Sequence, residues 1–346
     1  MPSPPAIRSN EDIRNALKNL PPYDKEARKN ACEREPQLTK PPGALGRLEE
    51  LAEWLCMWQG RHPPKMDHAE ARVFAGNHGV VAEGVSAYPS AVTEQMVANF
   101  EAGGAAINQL CKTFDVTLKV VPLELDRPTN NFMTAPAMDE GDFVSAFRVG
   151  METVEDGTDV ICLGEMGIGN TTAAAAVGHA LFAGSPEQWT GPGTGVEGEA
   201  YRNKVRVVSE GVLKHRPQII DGIDVLSHFG GREMAAMAGA VLAARFRHVP
   251  VLLDGYVSTA AAMVLQQVSA DALHHCQVGH LSSEPGHIRM VEIMGKRALL
   301  EMNMRLGEAT GAVLAVGLLK SAVACHTGMA TFAEASVSAR DNAPEE

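Results

Sequence analysis

The chain has 346 residues, 45% hydrophobic and 21% charged, which is the balance of a soluble globular protein with room for one large domain or two ordinary ones. Its formal net charge of −12 argues against nucleic acid or an anionic membrane as a main partner, because both demand a basic face, while leaving room for a locally bound phosphate. No uninterrupted apolar run approaches the ~20 residues that span a bilayer. The segment MPSPPAIRSNEDIRNAL lacks the apolar centre of a secretion signal, so the cytoplasm is the expected compartment.

In chain order, helical periodicity runs through Asn10–Leu20, Tyr23–Glu35 and Ala44–Gln59, broken at Pro21-Pro22, Pro41-Pro42 and Pro63-Pro64. After this small helical region, short β-branched runs alternate with alanine-rich stretches. The predicted strands are Ala71–Ala75, Val116–Val121, Asp159–Leu163, Val225–His228, Val249–Leu253 and His274–Val278. The predicted helices are Ala91–Cys111, Thr171–Phe182, Glu199–Lys214, Gly231–Arg247, Ser258–Gln267, Pro285–Met302 and Glu308–Ala324. Such alternation predicts an α/β fold with a doubly wound, mostly parallel, Rossmann-like sheet and a small helical subdomain. The expected division is 1–70 (helical), 71–305 (α/β) and 306–346. In an open α/β sheet the ligand crevice lies at the carboxyl ends of the strands. The strings AGNHG, GEMGIGN, DGY and GHLSS should therefore converge there.

Several signals are set aside. Six scattered cysteines without a C-x-x-C pair read as reduced, mostly buried thiols. The cluster His274, His275, His280, Glu284 and His287 has no H-E-x-x-H spacing, and no metal site is expected. Gly193–Gly198 (GTGVEG) is a literal G-x-G-x-x-G, but the polar GSPEQWTGP precedes it where a dinucleotide fingerprint needs a strand, so NAD is not expected.

Four small, glycine-rich segments carry the candidate chemistry. In MRLGEAT (304–310), Glu308 stands at a glycine-marked boundary before a helix. It reads either as a desolvated general base or as a helix cap. GEMGIGNTT (164–172) offers Gly167, Ile168, Gly169, Asn170 and Thr171 at the start of a helix, as an anion cradle or as an ordinary strand-to-helix junction. In GPGTGVEGEAYRNK (191–204), Gly193 lies on the loop and Lys204 one turn into the next helix, within reach of a phosphate or simply solvated. AGNHGVVAEGVSAYPSAV (75–92) presents Asn77, His78, Ser86 and Tyr88 as a wall for a flat base, although His78 reads equally as a buried, satisfied histidine. By residue type alone Met96, Met166 and Leu306 read as core.

In order and spacing these segments resemble the family of nicotinate-nucleotide:dimethylbenzimidazole phosphoribosyltransferases. So do TKPPGALGRLEEL, NFEAGGAAINQ, FGGREMAAMAGAVL, LLDGYVSTAAA, GHLSSEPGH and MATFAEA, which extend the likeness from about Thr39 to about Val337. The family motif has Asp where this chain has Asn77. The resemblance implies transfer of phosphoribose from nicotinate mononucleotide to 5,6-dimethylbenzimidazole, with inversion at the anomeric carbon and no cofactor. It implies catalytic roles for Glu308 (base) and Glu165 (stabilising cationic ribose or holding a ribose hydroxyl). Phosphate and ribose would fall to Gly167–Thr171, Lys204 and Gly193. The base would fall to Asn77, His78, Ser86, Tyr88, Ser282, Leu306 and Gly307. It also implies that the C-terminal helices join the N-terminal subdomain and that the protein is a homodimer. A catalytically silent homologue, or the same transfer to adenine or a phenolic compound, remains an alternative at this level.

Overall fold

The computed structural model describes residues 3–338. In chain order the first elements are α1 (Asn10–Lys18), α2 (Lys25–Arg34), α3 (Arg47–Gln59), β1 (Ala69–Ala75), α4 (Ala91–Glu101), α5 (Ala106–Phe114), β2 (Val116–Pro122), α6 (Glu140–Glu152) and β3 (Val160–Met166). There follow α7 (Asn170–Leu181), α8 (Pro186–Trp189), α9 (Gly198–His215), α10 (Gly222–Phe229), α11 (Arg232–Phe246), β4 (Val251–Leu253), α12 (Tyr256–Val268), β5 (Cys276–Val278), β6 (His280–Leu281), α13 (Pro285–Ile293), β7 (Leu300–Glu301) and α14 (Thr310–Gly328). The chain divides into two compact units. One comprises the residues up to Pro21 with His68–Ala315, the other Pro22–Asp67 with the residues from Val316 onward. Compared with the expected division after residues 70 and 305, α1 falls with the α/β unit and the later break falls inside α14.

In the α/β unit five strands form a parallel sheet ordered β2-β1-β3-β4-β5. β3 is buried along almost its whole length and β1 nearly so, as strands covered by helices on both faces must be. Beside them α11 is buried at every position. It reaches α6 through glycines. A Cβ on Gly150 would lie 1.7 Å from the Ala236 carbonyl oxygen, and one on Gly239 would lie 1.9 Å from that of Phe147. Helix α1 is tied on by Arg14, which donates to Asp221 (2.7 Å) and Asp224 (2.8 Å) at the start of α10.

Among the differences from the predicted elements, four have a clear local reason. Val225–His228 is not a strand but the centre of α10, because Asp221 caps a helix by accepting the Ile223 N–H at 2.9 Å. The predicted helix Ala91–Cys111 is split into α4 and α5 at Gly103, whose φ of +78° favours glycine. Helix α6 is absent from the predicted elements, yet Asp139 caps it and Phe143, Val144 and Phe147 give it an apolar face. Finally, α13 stops at Ile293, followed by left-handed Gly295, so the stretch to Met302 is a loop and the short β7.

In the second unit α2, α3 and the distal part of α14 enclose a buried polar network. Lys40 joins Glu35 and Glu49 (both 2.8 Å), and His326 joins Glu35 (2.6 Å) and His62 (3.1 Å). Helix α14 is long and apolar enough, by length and composition, to cross a bilayer. Its buried residues Ala312, Val313, Ala315, Val316, Leu319 and Ala322 recur at the spacing of one helix face, the pattern of a core helix.

Gly150→Val should destabilise the α/β unit by about 3 kcal/mol or prevent folding, because backbone cannot yield as a side chain can. Denaturant unfolding indistinguishable from the parent would contradict the described approach of α6 to α11.

Candidate active site

Strand order reverses between β1 and β3, so the crevice expected of a doubly wound sheet opens at their carboxyl ends. A cleft of about 610 Å³, open mouth included, lies there on the β3 side. It is lined from β3 and the loop to α7 (Glu165, Gly167, Asn170, Thr171), from the β4 loop (Gly255, Tyr256), from β6 and its loop (His280, Ser282, Glu284) and from Arg305–Gly307. A smaller recess of about 270 Å³ shares Gly167, Ile168, Asn170, Thr171 and Thr194 with it and adds Val85, Ser86, Gly169, Pro192, Val196 and Lys204.

Glu308 is held in an unusual backbone. Gly307, Glu308 and Ala309 are successively left-handed, with φ of 86°, 62° and 63°, a conformation that costs non-glycine residues about 1–2 kcal/mol each. The stretch survives because its surroundings fix it. The Glu308 N–H donates to the Glu165 carbonyl (3.2 Å), and Thr310 closes back on the Gly307 carbonyl through its Oγ1 (2.7 Å). Gly164 leaves room for the contact, since a Cβ there would lie 2.0 Å from the Ala309 nitrogen. Asp254, buried after β4, accepts the Ala312 N–H at 2.9 Å and also bonds the backbone of Gly311 and Ala309. The cap of α14 is therefore Asp254, and Glu308 stands before the helix. Glu308 is 4% exposed, its Oε2 has no hydrogen-bond partner, and burial pushes its pKa up to about 7. A carboxyl in that state is able to act as a base, and it does not cap α14.

Glu165 lies at the end of β3, where Asn170 Nδ2 donates to its Oε2. Burial, then the neighbouring Glu233, Asp254 and Glu308 carboxyls, raise its pKa well above the usual carboxylate range. Opposite, Lys204 is 1% exposed and not on the surface. Its ammonium donates to Thr171 Oγ1 (2.9 Å) and the Gly191 carbonyl (3.0 Å), and burial brings its pKa down to about 8. The loop carrying Gly193 is clamped from two sides: its N–H donates to Glu284 (3.0 Å) and its carbonyl accepts from Arg305 (2.7 Å).

The remaining expected residues separate. Ser282 lines the cleft and donates its N–H to His287 Nδ1 (2.9 Å), while burial depresses that imidazole to about pKa 3. Ser86 lines the recess; Tyr88 is half exposed and lines neither space. Leu306, 57% exposed, and Met166 line the cleft, which corrects their reading as core; their apolar side chains face the ligand space. The Ile168 N–H is already donated to Thr93 Oγ1 (3.2 Å) and serves the fold. Asn77 and His78 line neither space: Asn77 Nδ2 donates to the Leu125 carbonyl (2.8 Å), and His78 bonds buried Glu233.

A phosphoribosyltransferase family model matches residues 20–337. The nicotinate-nucleotide–dimethylbenzimidazole phosphoribosyltransferase of Sinorhizobium medicae is 55% identical over 95% of this chain and 97% of its own length, and that of Rhizobium etli 53% identical over 95% and 97%. This chain belongs to that phosphoribosyltransferase family. The crystal structure of CobT from Thermus thermophilus superposes with a TM-score of 0.84 at 40% identity, over 91% of this chain and all of that one. The shared fold is the parallel α/β sheet described above.

Within this family member, sequence reasoning did not single out Asp254, Tyr256 or Arg305, and it met His280 and Glu284 only as rejected metal ligands. Among the described residues no group of three or more acids, histidines or cysteines is arranged to hold a metal ion. The signal for Asp254 was present in LLDGY, an acid directly after an apolar strand.

A carboxyl whose pKa is raised on folding stabilises the protein fully below its unfolded pKa, and that stability is lost as pH rises through the folded value. For Glu308 the window runs from the ordinary glutamate value of 4.5 to about 7. Glu308→Gln should thus raise stability by about 1–3 kcal/mol at pH 8 and change it little at pH 4.5. Equal gains at both pH values in thermal melts would contradict the burial of an ionisable Glu308.

Proposed function

We propose that this chain transfers the phosphoribosyl group of nicotinate mononucleotide to 5,6-dimethylbenzimidazole, giving α-ribazole 5′-phosphate and nicotinate. The names of its relatives support the substrates. The observation that carries the chemistry is Glu308: a buried carboxyl with an unshared oxygen and a pKa near 7, the value suited to a base working at neutral pH. Glu308 takes the proton from one benzimidazole nitrogen while the other attacks the anomeric carbon. The pyridinium of the mononucleotide leaves as neutral-ring nicotinate, taking the bond's electrons. Lys204, Thr171 and the backbone of Gly167 and Gly169 anchor the 5′-phosphate, and Gly193 closes the cradle. Of the two roles expected for Glu165, holding a ribose hydroxyl suits a carboxyl that lines the cleft and is itself fixed by Asn170. Ser282, Leu306 and Gly307, which line the cleft, contact the base, and Ser86 bounds it from the recess. The enzyme works as a cytoplasmic twofold homodimer.

The decisive assay incubates the protein with nicotinate mononucleotide and a panel of benzimidazoles, purines and phenols. An α-linked product should form fastest with dimethylbenzimidazole, because a single displacement inverts the β-linkage, and no ribosyl adduct should accumulate. A β-linked product, or an adduct trapped on Glu165 or Glu308, would establish double displacement instead.

Glu308→Gln should lower turnover about 10²–10⁴-fold with little change in substrate affinity. In the parent, kcat should fall as pH drops below about 7, where Glu308 becomes protonated. Near-normal turnover of the variant at neutral pH would remove Glu308 from this role. Sedimentation at micromolar concentration should give a dimer; a monomer would overturn the assembly proposed here.

A further inference from the structure

We propose that the buried pair His78–Glu233 is the positioning element of the glycine loop Gly167–Gly169, and through it of the substrate's 5′-phosphate. This rests on assigning that loop to the phosphate. His78 is 2% exposed and Glu233 fully buried, and His78 Nε2 faces Glu233 Oε1 at 2.7 Å, where against a carboxylate the nitrogen is the donor. Neither residue lines the cleft or the recess.

What they touch instead is glycine, from three separate loops. A Cβ on Gly76, after β1, would lie 2.5 Å from Glu233 Oε2. One on Gly231, before α11, would lie 2.2 Å from the same atom and 2.4 Å from His78 Cε1. On the cleft side, a Cβ on Gly167 would lie 3.4 Å from His78 Nε2 and one on Gly169 3.2 Å from His78 Cβ. The pair thus packs behind the loop together with the Gly76 carbonyl, which a Cβ on Gly167 would meet at 2.6 Å, and Val81, which one on Gly169 would meet at 2.7 Å, while the Gly76 N–H, donated to the Met166 carbonyl (3.0 Å), sews the β1 and β3 loops together. Glu233 Oε2 accepts no hydrogen bond, so the bond from His78 to Oε1 is the one that fixes this carboxyl behind the loop. Without the imidazole the carboxyl would be left unpaired and the loop would lose part of its support, both to the detriment of an arriving phosphate.

The test compares calorimetric affinities for nicotinate mononucleotide, nicotinate riboside and dimethylbenzimidazole in four proteins: the parent, His78→Leu, His78→Gln and Lys204→Ala. His78→Leu should weaken the mononucleotide about 10- to 100-fold, the usual result of displacing a binding group by about an ångström, while riboside and dimethylbenzimidazole keep the parent's affinity. His78→Gln, which retains an N–H donor, should recover part of the loss; a purely structural role would move all three ligands together. If His78→Leu does not fold, the selective intermediate loss in His78→Gln carries the test. Lys204→Ala separates the two levels. If it leaves the mononucleotide's affinity intact, the phosphate assignment falls and this inference with it. If it weakens the mononucleotide but neither His78 variant does, this inference alone is overturned. A loss confined to dimethylbenzimidazole in the His78 variants would return His78 to the base wall and overturn it as well.

Discussion

The closure of the backbone at Gly307–Ala309 onto the end of β3 is the constraint on which the rest of the site depends. Three consecutive left-handed residues would not persist in a free loop. They persist here because Gly164 admits the Ala309 backbone, the Glu165 carbonyl takes the Glu308 N–H, and Asp254 holds the first amides of α14. These partners come from the ends of two different strands, β3 and β4. The glutamate is therefore aimed by the sheet and not by its own sequence neighbours, which is how a site is kept stiffer than the loop that carries it.

The same closure concentrates acids. Glu165 lies within electrostatic reach of Glu233, Asp254 and Glu308, all buried, and the structure leaves an oxygen without a hydrogen bond on each of those three. Burial also pushes Asp254 up to about pKa 7. Unsatisfied buried oxygens are uncommon in native proteins and costly. None of these three carboxyls is among the residues that line the cleft, whereas Glu284, which also keeps an oxygen without a hydrogen bond, is.

Much of the fold was legible because its strands are continuous apolar runs and its helices alanine-rich, so period and length pointed the same way. Val225–His228 failed because four apolar-leaning residues fit either period, and the deciding cap, Asp221, lies outside the run. In the site, Glu308, Glu165 and Lys204 could be named from their loops, but their environment could not. The burial of Lys204 depends on Thr171 and Gly191, and the cap of α14 comes from Asp254, 58 residues upstream of the amide it binds. His78 was ambiguous for the same reason: its partner Glu233 is 155 residues away. Long-range hydrogen bonds leave no periodicity in a sequence.

The partition between cleft and recess bears on how such a protein can change over evolutionary time. Val85, Ser86, Pro192 and Val196 line only the recess, whereas Glu165, Tyr256, His280 and Arg305 line only the cleft. Substitutions among the first group reshape one wall without disturbing the strand-end contacts that aim Glu308. The outline of the recess can therefore drift over generations while the hydrogen bonds that fix Gly307–Ala309 against the sheet are inherited unchanged.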